Sequence, residues 1–350
     1  MKVAITGSTG FLGSHCAAKA FREGHSVRLL VRNQTKAQRA LEMHNLNPSD
    51  FEIIHADLAD RNSLFEALEG VDSLLHAAAV FSLSPLDAKL MMKLNPGSTK
   101  ALLSAAVKHD LKQTVYVSTM GVFAPITGGD IDENTPTSTG LGPYTKSKIE
   151  SEKIARQFQR DGAPVSIVYP GGIFGPTDPN PNLSDSMGML TEILKRNIGL
   201  TAKDAKLAMV DVRDVAEVCV GALNASSRSA RYHAWGELVT MDQVIELVKK
   251  ITDRKIQFYS TPLFVLDALG VFGELFTLLT RIRLPFAKES MKMFTQNARV
   301  KGPGKIDQSP ANKDFGFQSI SLEESLTDAL RWLHNAGYLT AKQSGKLANI

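Results

Sequence analysis

The sequence predicts an α/β fold, a doubly wound parallel sheet with a smaller C-terminal lobe. In the first half of the chain, short apolar runs alternate with amphipathic patterns, as is typical of parallel strands joined by helices. A glycine-rich turn at residues 7–13 separates the first strand from the first helix. The 350 residues, 43% of them hydrophobic and 22% charged, suffice for one large domain or two joined ones.

Six strands and five helices are predicted before residue 170. The strands are short apolar runs at 2–6, 26–31, 51–56, 73–77, 113–118 and 165–169. The helices show a 3.6-residue periodicity at 11–23, 35–44, 61–68, 87–109 and 144–161. Gly24, Gly70 and Gly162 stand where helix C-caps are expected.

After Pro170 the regular alternation stops. The Gly, Pro and Asn content of residues 171–182 predicts a long loop, and 206–210 followed by a helix at 212–224 predicts a return to the sheet. We therefore expect a main domain at 1–177 with a return segment at 205–235. A smaller lobe is expected at 178–204 and 236–338.

Charge and cysteine content exclude several classes of function. The formal charge of +4 is spread along the chain without a Lys/Arg cluster, so no nucleic-acid partner is expected. Cys16 and Cys219 lie in apolar helical patterns without metal-ligand spacing, so we predict no metal site and two reduced thiols. Because residues 2–6 already form a strand, no secretion signal is expected and a cytoplasmic location is favoured.

The run at 262–281 is the one candidate for a membrane segment. Polar residues recur on one helical face, with apolar residues opposite: Asp267, Glu274, Thr277 and Arg281 against Leu266, Leu269, Phe272, Phe276 and Leu279. Two acids inside the run argue against a transmembrane span. A helix packed on its own domain is favoured, and a substrate lid or a helix on a membrane surface is the alternative.

Three glycines in the first turn, spaced Gly-x-x-Gly-x-x-Gly, follow a strand and open a helix as in a dinucleotide-binding motif, although Gly-x-Gly-x-x-Gly is the commoner spacing. A purely structural strand-to-helix turn is the alternative. Gly7 would permit the tight turn, Gly10 the approach of a pyrophosphate, and Gly13 close packing of helix on strand. Free N–H groups at the helix N-terminus favour phosphate. The predicted cofactor-binding residues of this turn are Gly7, Ser8, Thr9, Gly10, Phe11, Leu12 and Gly13.

The residue after the second strand indicates which dinucleotide is bound. A carboxylate here would bind the ribose 2′-hydroxyl of NAD, but the chain has Arg32, which can pair with the 2′-phosphate of NADP. An ordinary exposed arginine is the alternative, and NAD is the less favoured cofactor. Asp57 and Leu58 after the third strand, and Ala77, Ala78 and Ala79 after the fourth, are also predicted to contact the cofactor.

Tyr144 and Lys148 are one helical turn apart, so they share a helix face. The pKa of a free tyrosine is near 10, and a neighbouring ammonium favours the phenolate and lowers that pKa. Lys148 can also hold the nicotinamide ribose. Thr119 at the end of the fifth strand can orient a substrate oxygen, with Ser118 as the alternative. Asn95 is predicted to hold a backbone carbonyl and a water, or else to be a helix-kink residue beside Pro96.

These motifs together resemble the extended branch of the short-chain dehydrogenase/reductase superfamily. More narrowly, the chain is similar to the dihydroflavonol-reductase-like and NAD-dependent epimerase/dehydratase group. The similarity covers nearly the whole chain, through segments 6–13, 56–58, 75–79, 95–99, 117–119, 144–148, 169–175, 210–214 and 321–333.

The resemblance implies a Rossmann domain at 1–177 and a substrate-binding lobe beyond it. It also implies a catalytic triad of Thr119, Tyr144 and Lys148. A segment with Pro170, Gly171 and Ile173 would lie against the nicotinamide carboxamide. Oxidoreductase activity on a small carbonyl or alcohol compound is therefore expected. The oligomeric state is left open, with a homodimer as one alternative.

Two departures from the family pattern narrow the substrate class. Nucleotide-sugar enzymes of the family place an Arg and an Asn after the sixth strand, where this chain has Gly171 and Gly172; sugar dehydratases place an acid beside the threonine, where it has Met120. An apolar carbonyl substrate is therefore favoured. The candidate lining residues are Phe81, Phe123, Phe174 and Met187, with core packing as the alternative for each.

Two other functions stay open at this point. One is a nucleotide-sugar epimerase on tightly held NAD, for which Lys206, Arg213 or Arg231 could supply charge to a diphosphate. The other is a non-catalytic, NADP-sensing regulator, which the intact triad disfavours.

Overall fold

The computed structural model describes residues 1–126, 128–202, 205–284, 287–300 and 303–349. The strands are β1 (Lys2–Thr6), β2 (Ser26–Val31), β3 (Glu52–His55), β4 (Ser73–His76), β5 (Gln113–Val117), β6 (Val165–Pro170), β7 (Gly172–Phe174), β8 (Ile198–Thr201), β9 (Lys206–Asp211), β10 (Arg231–Ala234), β11 (Glu237–Thr240) and β12 (Gln257–Ser260). The α-helices are α1 (Phe11–Arg22), α2 (Gln34–Met43), α3 (Arg61–Glu66), α4 (Ala88–Lys108), α5 (Pro143–Arg160), α6 (Asp185–Arg196), α7 (Val212–Asn224), α8 (Met241–Thr252), α9 (Leu263–Thr280), α10 (Lys288–Arg299), α11 (Ser309–Phe315), α12 (Leu322–Asn335) and α13 (Ala341–Ser344).

The central sheet has seven parallel strands in the order β10-β6-β5-β4-β1-β2-β3. The strand order reverses between β1 and β4, which confirms the predicted doubly wound fold. At such a reversal the loops leaving the carboxyl ends of the two strands diverge and open a crevice for a ligand. The predicted elements of the first half are present, with ends that differ by at most two residues.

The strand that returns to the sheet is not the predicted one. Segment 206–210 forms β9, which pairs with β7 and β11 in a separate three-stranded sheet. The returning strand is β10, which pairs with β6. β10 already pairs with the outer edge of β6. β9 therefore pairs with β7, which begins just beyond Gly171, where the chain leaves the central sheet.

Helices cover both faces of the central sheet. One layer contains α1 and α7, and Cys16 and Cys219 lie buried in it as free thiols, as the apolar patterns predict. The opposite layer contains α4 and α5. The helices hold the sheet rigid, so that loops at the carboxyl ends of its strands are presented on a fixed frame.

A second hydrophobic core forms beyond the sheet, from α6, α8 and α12. Its fully buried members include Leu194, Val244, Ile245, Leu326 and Leu330. These residues come from both stretches assigned to the smaller lobe. The division at 1–177 with 205–235 against 178–204 with 236–338 stays a prediction.

Helix α9 packs against the rest of its own domain through a face that lies between its polar and its apolar sides. Its buried positions are Leu266, Gly270, Gly273 and Thr277, and α10 packs against it. A Cβ added at Gly270 would lie 3.0 Å from Cβ of Met291, so the small residues allow α10 to come close. The buried face thus combines small residues with Leu266 and Thr277, while Phe272 and Leu279 face solvent at 59% and 84% exposure.

Candidate active site

The turn after β1 has the backbone geometry that the glycines predict. Gly7 has a φ of +81°, and a Cβ there would lie 2.8 Å from the backbone nitrogen of Ala78. A Cβ at Gly13 would lie 2.1 Å from the carbonyl oxygen of Gly7. Both positions therefore require glycine for the protein's own packing. Gly10 is less constrained, since a Cβ there would meet Gly7 only at 3.4 Å.

Several polar groups around this turn lack a protein partner. Helix α1 begins after Gly10 with no side-chain cap on its first N–H groups. The buried hydroxyls of Ser8 and Ser118 have no hydrogen-bond partner within the described ranges. Buried polar atoms are normally paired, so unpaired ones at a crevice fit a polar ligand. A helix N-terminus with free N–H groups fits the phosphates of a dinucleotide in particular.

The other predicted cofactor contacts lie at the same edge of the sheet. Ala77, Ala78 and Ala79 follow β4 directly against the glycine turn, where the N–H of Ala78 donates to Oγ1 of Thr6 at 3.1 Å. Thr9, Phe11 and Leu12 are partly buried, and so are Asp57 and Leu58 beyond β3. Arg32 is exposed directly after β2. This edge therefore brings the predicted residues from β1, β2, β3 and β4 together.

Asp57 is committed to a local turn, because its Oδ1 accepts from the N–H of Ala59 at 2.9 Å. The N-cap of the following helix, α3, is Asp60. On the other side of the crevice, Pro170 ends β6 and Ile173 lies partly buried in β7. A Cβ added at Gly171 would lie 2.6 Å from the carbonyl oxygen of Trp235, so this segment packs tightly on the end of β10.

Tyr144 and Thr119 meet at the carboxyl end of β5. Burial raises the pKa of the Tyr144 phenol above its usual value, the neighbouring hydroxyl of Thr119 lowers it, and the carboxylate of Glu289 raises it. The ring of Phe81, which is 51% exposed, packs edge-to-face on the Tyr144 ring with centroids 4.7 Å apart. The Tyr144 ring therefore contacts an open apolar ring, and its phenol is influenced by the polar side chain of Thr119.

Lys148 lies on the same helix but does not act on Tyr144 in this structure. Its Nζ donates to the backbone carbonyl of Val117 at 2.9 Å and lies 4.5 Å from the centre of the Tyr116 ring. Burial lowers the pKa of Lys148 to about 7, and the charge of Glu152 opposes that shift. The expected lowering of the Tyr144 pKa by the ammonium is thus not seen, because the amine is held by β5 and is easily deprotonated.

Asn95 has its side chain fully engaged in structural contacts. Its Nδ2 donates to the carbonyl of Val80 at 3.0 Å and to Oγ of Ser147 at 2.9 Å, while Oδ1 accepts from the N–H of Val80. The predicted carbonyl contact is therefore present. Asn95 links the loop carrying Phe81 to the helix carrying Tyr144, and is better described as a positioning residue.

The sequence patterns did not identify Glu289 as a residue of this site. It is buried in α10, and its carboxylate accepts from the backbone N–H of Tyr144 at 3.1 Å and of Thr145 at 2.8 Å. These are the first N–H groups of α5, which have no partner within a helix. A cap supplied from 145 residues away leaves no signal in local sequence.

Three of the four predicted lining residues are core residues. Phe123 is 4% exposed and packs with Tyr169 and Trp235, while Phe174 and Met187 are 0% exposed in the second core. Each is enclosed by apolar neighbours, so burial removes it from contact with a substrate. Only Phe81 of this set presents an open surface beside Tyr144.

Two of the three cations considered for a diphosphate are engaged elsewhere. Arg213 pairs with Asp211 at 2.7 Å and with Asp328 at 2.8 Å. Arg231 donates to Oε1 of Gln159 at 3.2 Å and to the carbonyl of Glu133 at 2.5 Å. Lys206 is half-buried in β9. A diphosphate would have to compete for both guanidinium groups.

Comparisons with known proteins match this architecture. The model of the NAD dependent epimerase/dehydratase family matches residues 3–235. A Synechocystis sp. protein provisionally called a dihydroflavonol 4-reductase is 27% identical over 343 residues, covering 96% of this chain and 95% of the relative. The Stigmatella aurantiaca 4-hydroxy-2-methyl-3-oxo-4-farnesyl-3,4-dihydroquinoline-1-oxide ketoreductase is 25% identical, covering 96% and 98%.

Among solved structures, the fold is similar to UDP-glucuronic acid 4-epimerase from Bacillus cereus in complex with UDP-glucuronic acid and NAD. The TM-score is 0.74 at 18% identity, over 96% of this chain and 100% of that one. At this identity the likeness concerns the fold alone.

Proposed function

Because the chain belongs to the NAD-dependent epimerase/dehydratase family, we propose that it is an NADP(H)-dependent oxidoreductase. Its proposed reaction is reduction of the aldehyde or ketone group of an apolar small molecule, or oxidation of the corresponding alcohol. The observation that carries the proposal is the position of the Tyr144 phenol beside Thr119, together with the exposed ring of Phe81 against the Tyr144 ring. A carbonyl oxygen can be hydrogen-bonded on one side of this point while its apolar substituents contact a ring on the other.

Each residue has a distinct proposed role in the reaction. The nicotinamide, when bound, supplies or accepts the hydride. Thr119 hydrogen-bonds and orients the substrate oxygen. A Tyr144 pKa above its usual value keeps the phenol protonated, which is the form needed to donate a proton to that oxygen during reduction. Lys148 is proposed to leave Val117 and hold the nicotinamide ribose.

The chemistry of the crevice supports a dinucleotide as the cofactor. Gly7 and Gly13 bring the backbone of the turn close to α1, and the unpaired hydroxyls of Ser8 and Ser118 offer hydrogen bonds to a ligand. The small residues 77–79 leave room beside β4. The exposed guanidinium of Arg32 supports NADP over NAD, since it can pair with a 2′-phosphate.

Arg32→Asp is expected to narrow or reverse the preference for NADPH over NADH. Losing one charge-assisted contact costs about 1.5–3 kcal/mol, which is more than tenfold in affinity. Dissociation constants for both cofactors, measured by fluorescence titration, test this expectation. Arg39→Asp on α2 is the control and should leave the ratio unchanged. Equal constants for NADPH and NADH in the unsubstituted protein would refute the proposed cofactor preference.

A nucleotide-sugar epimerase is the principal rival, because the family that the chain belongs to is described as an epimerase/dehydratase family. Burying a diphosphate requires compensating positive charge, and Arg213 and Arg231 are already hydrogen-bonded elsewhere. We therefore expect no binding of UDP- or dTDP-sugars at about millimolar concentration. We also expect NADPH oxidation with at least one hydrophobic aldehyde or ketone.

Calorimetric titration of the NADP-loaded protein with nucleotide sugars separates the two enzymes. A saturable signal at about micromolar concentration would favour the epimerase, as would NAD that co-purifies with the protein. The other rival is a non-catalytic NADP sensor. It would bind the cofactor yet show no turnover across a broad panel of aldehydes, ketones and alcohols.

A further inference from the structure

Helix α9 exposes a continuous apolar stripe to solvent. Its exposed positions recur three and four residues apart, which places them on one helix face. We call this stripe the outer face of α9: Phe264, Val271, Phe272, Leu275, Leu278 and Leu279, with Ile282 just beyond the helix end. Single exposed apolar residues are ordinary, but an aligned row on one helix marks an interaction surface.

The inner face of α9 is already satisfied by α10. Asp267 pairs with Arg299 and accepts from Oγ1 of Thr295 at 2.8 Å. Glu274 pairs with Lys288 at 3.2 Å. The two acids of the helix are thus neutralised on the protein side. They place no negative charge on the outer face of α9. Both acids have partners within the protein, so the exposed stripe presents apolar side chains alone.

The charge around the stripe is positive. Segment 262–300 contains five Lys and Arg residues against three carboxylates, and the third carboxylate, Glu289, is buried as the cap of α5. Arg281 and Arg283 flank Ile282 at the end of the stripe, and both are exposed. Cations that border an apolar helix face, together with exposed phenylalanines, are typical of helices that lie on anionic lipid surfaces.

A transmembrane orientation of α9 conflicts with its packing, although its 18 residues and mean hydropathy of 1.8 are sufficient for one. The helix follows two residues after β12, which pairs with β8, and along its length it packs on α10. Crossing a bilayer would break the Asp267 and Glu274 ion pairs. A helix in the plane of the membrane surface keeps them.

We propose that α9 docks this protein on anionic lipid membranes, with its outer face inserted at the level of the lipid headgroups. The same helix packs beside Pro85–Asp87, where Arg283 pairs with Asp87 at 3.0 Å. That segment lies four residues after Phe81. For the apolar substrate class proposed above, docking would therefore bring the open side of the Tyr144 site close to the lipid phase. The binding itself does not depend on that activity.

Vesicle co-sedimentation of the full chain tests the proposal, with readout of bound protein and not of turnover. We expect binding to vesicles of phosphatidylcholine mixed with phosphatidylglycerol, and weaker binding to phosphatidylcholine alone or at high salt. The double variant Leu275→Glu/Leu279→Glu should bind at least about tenfold more weakly. Both side chains are exposed, so this variant should fold. The control, Val107→Glu on α4, replaces a similarly exposed residue and should bind normally.

Two results would overturn the proposal. The first is a failure of the unsubstituted protein to bind either vesicle type. The second is a solution mass of two copies that falls to one copy in the Leu275→Glu/Leu279→Glu variant without any lipid binding, which would make the stripe a self-association surface.

Discussion

Tyr144→Phe is expected to lower turnover by about 100-fold or more while leaving the fold and cofactor binding intact, because it removes only the proton donor. A 100-fold loss corresponds to about 2.7 kcal/mol of transition-state stabilisation, within the range of a single positioned acid. The substitution keeps the ring that packs on Phe81 and removes only the phenol hydroxyl beside Thr119. Steady-state kinetics with a carbonyl substrate found in the panel measure the effect.

The matched control is Tyr259→Phe, which removes a phenol hydroxyl from a side chain that is 55% exposed on β12. It should retain normal turnover. Unchanged thermal stability and an unchanged dissociation constant for NADPH would show that the Tyr144 effect is chemical. Normal turnover of Tyr144→Phe on the same substrate would remove Tyr144 from the acid/base role.

Lys148→Met is expected to lower both turnover and cofactor affinity. In the proposed function the amine of Lys148 holds the nicotinamide ribose and shapes the environment of the Tyr144 phenol. The substitution removes both effects together. We expect a loss of about tenfold or more in affinity for NADPH and of about 100-fold in turnover. Lys146→Met, on the exposed face of the same helix, is the control. A variant at Lys148 with unchanged NADPH affinity would contradict the ribose contact.

The same variant should change how stability depends on pH in the cofactor-free protein. Burial lowers the pKa of Lys148 from 10.5 to about 7. Between these values the unfolded chain binds a proton that the native chain does not, so stability rises with pH across this window. Below pH 7 the amine of Lys148 is protonated in the native state as well, and the native state then carries the full free-energy cost of a buried charge. The Tm of Lys148→Met relative to the unsubstituted protein should therefore be highest near neutral pH and decline as pH rises toward 10.

Local sequence determined the strands and helices of the first half of the chain and the placement of Tyr144 and Lys148 on one helix. Apolar runs and helical periodicity fix strands and helices up to residue 170 because each element is specified by its own side chains. The glycine turn is also local: a φ of +81° at Gly7 and a 2.1 Å approach at Gly13 admit no other residue. Tyr144 and Lys148 share a face because they are four residues apart on one helix.

Tertiary packing decided what the local pattern left open. The edge position beside β6 went to β10 and not β9, since either run suits a strand and only pairing distinguishes them. Phe123, Phe174 and Met187 are apolar residues whose enclosure depends on distant neighbours. The cap of α5 by Glu289 joins residues 145 positions apart.

Helix α9 shows the same limit most clearly. Its amphipathic period predicts a polar and an apolar side but not which residues turn inward. That choice depended on α10, whose Lys288 and Arg299 pair with the acids of α9 and whose Met291 fits against Gly270. The packed face consists of Leu266, Gly270, Gly273 and Thr277, and the close contact with α10 that buries it exists only in the assembled structure.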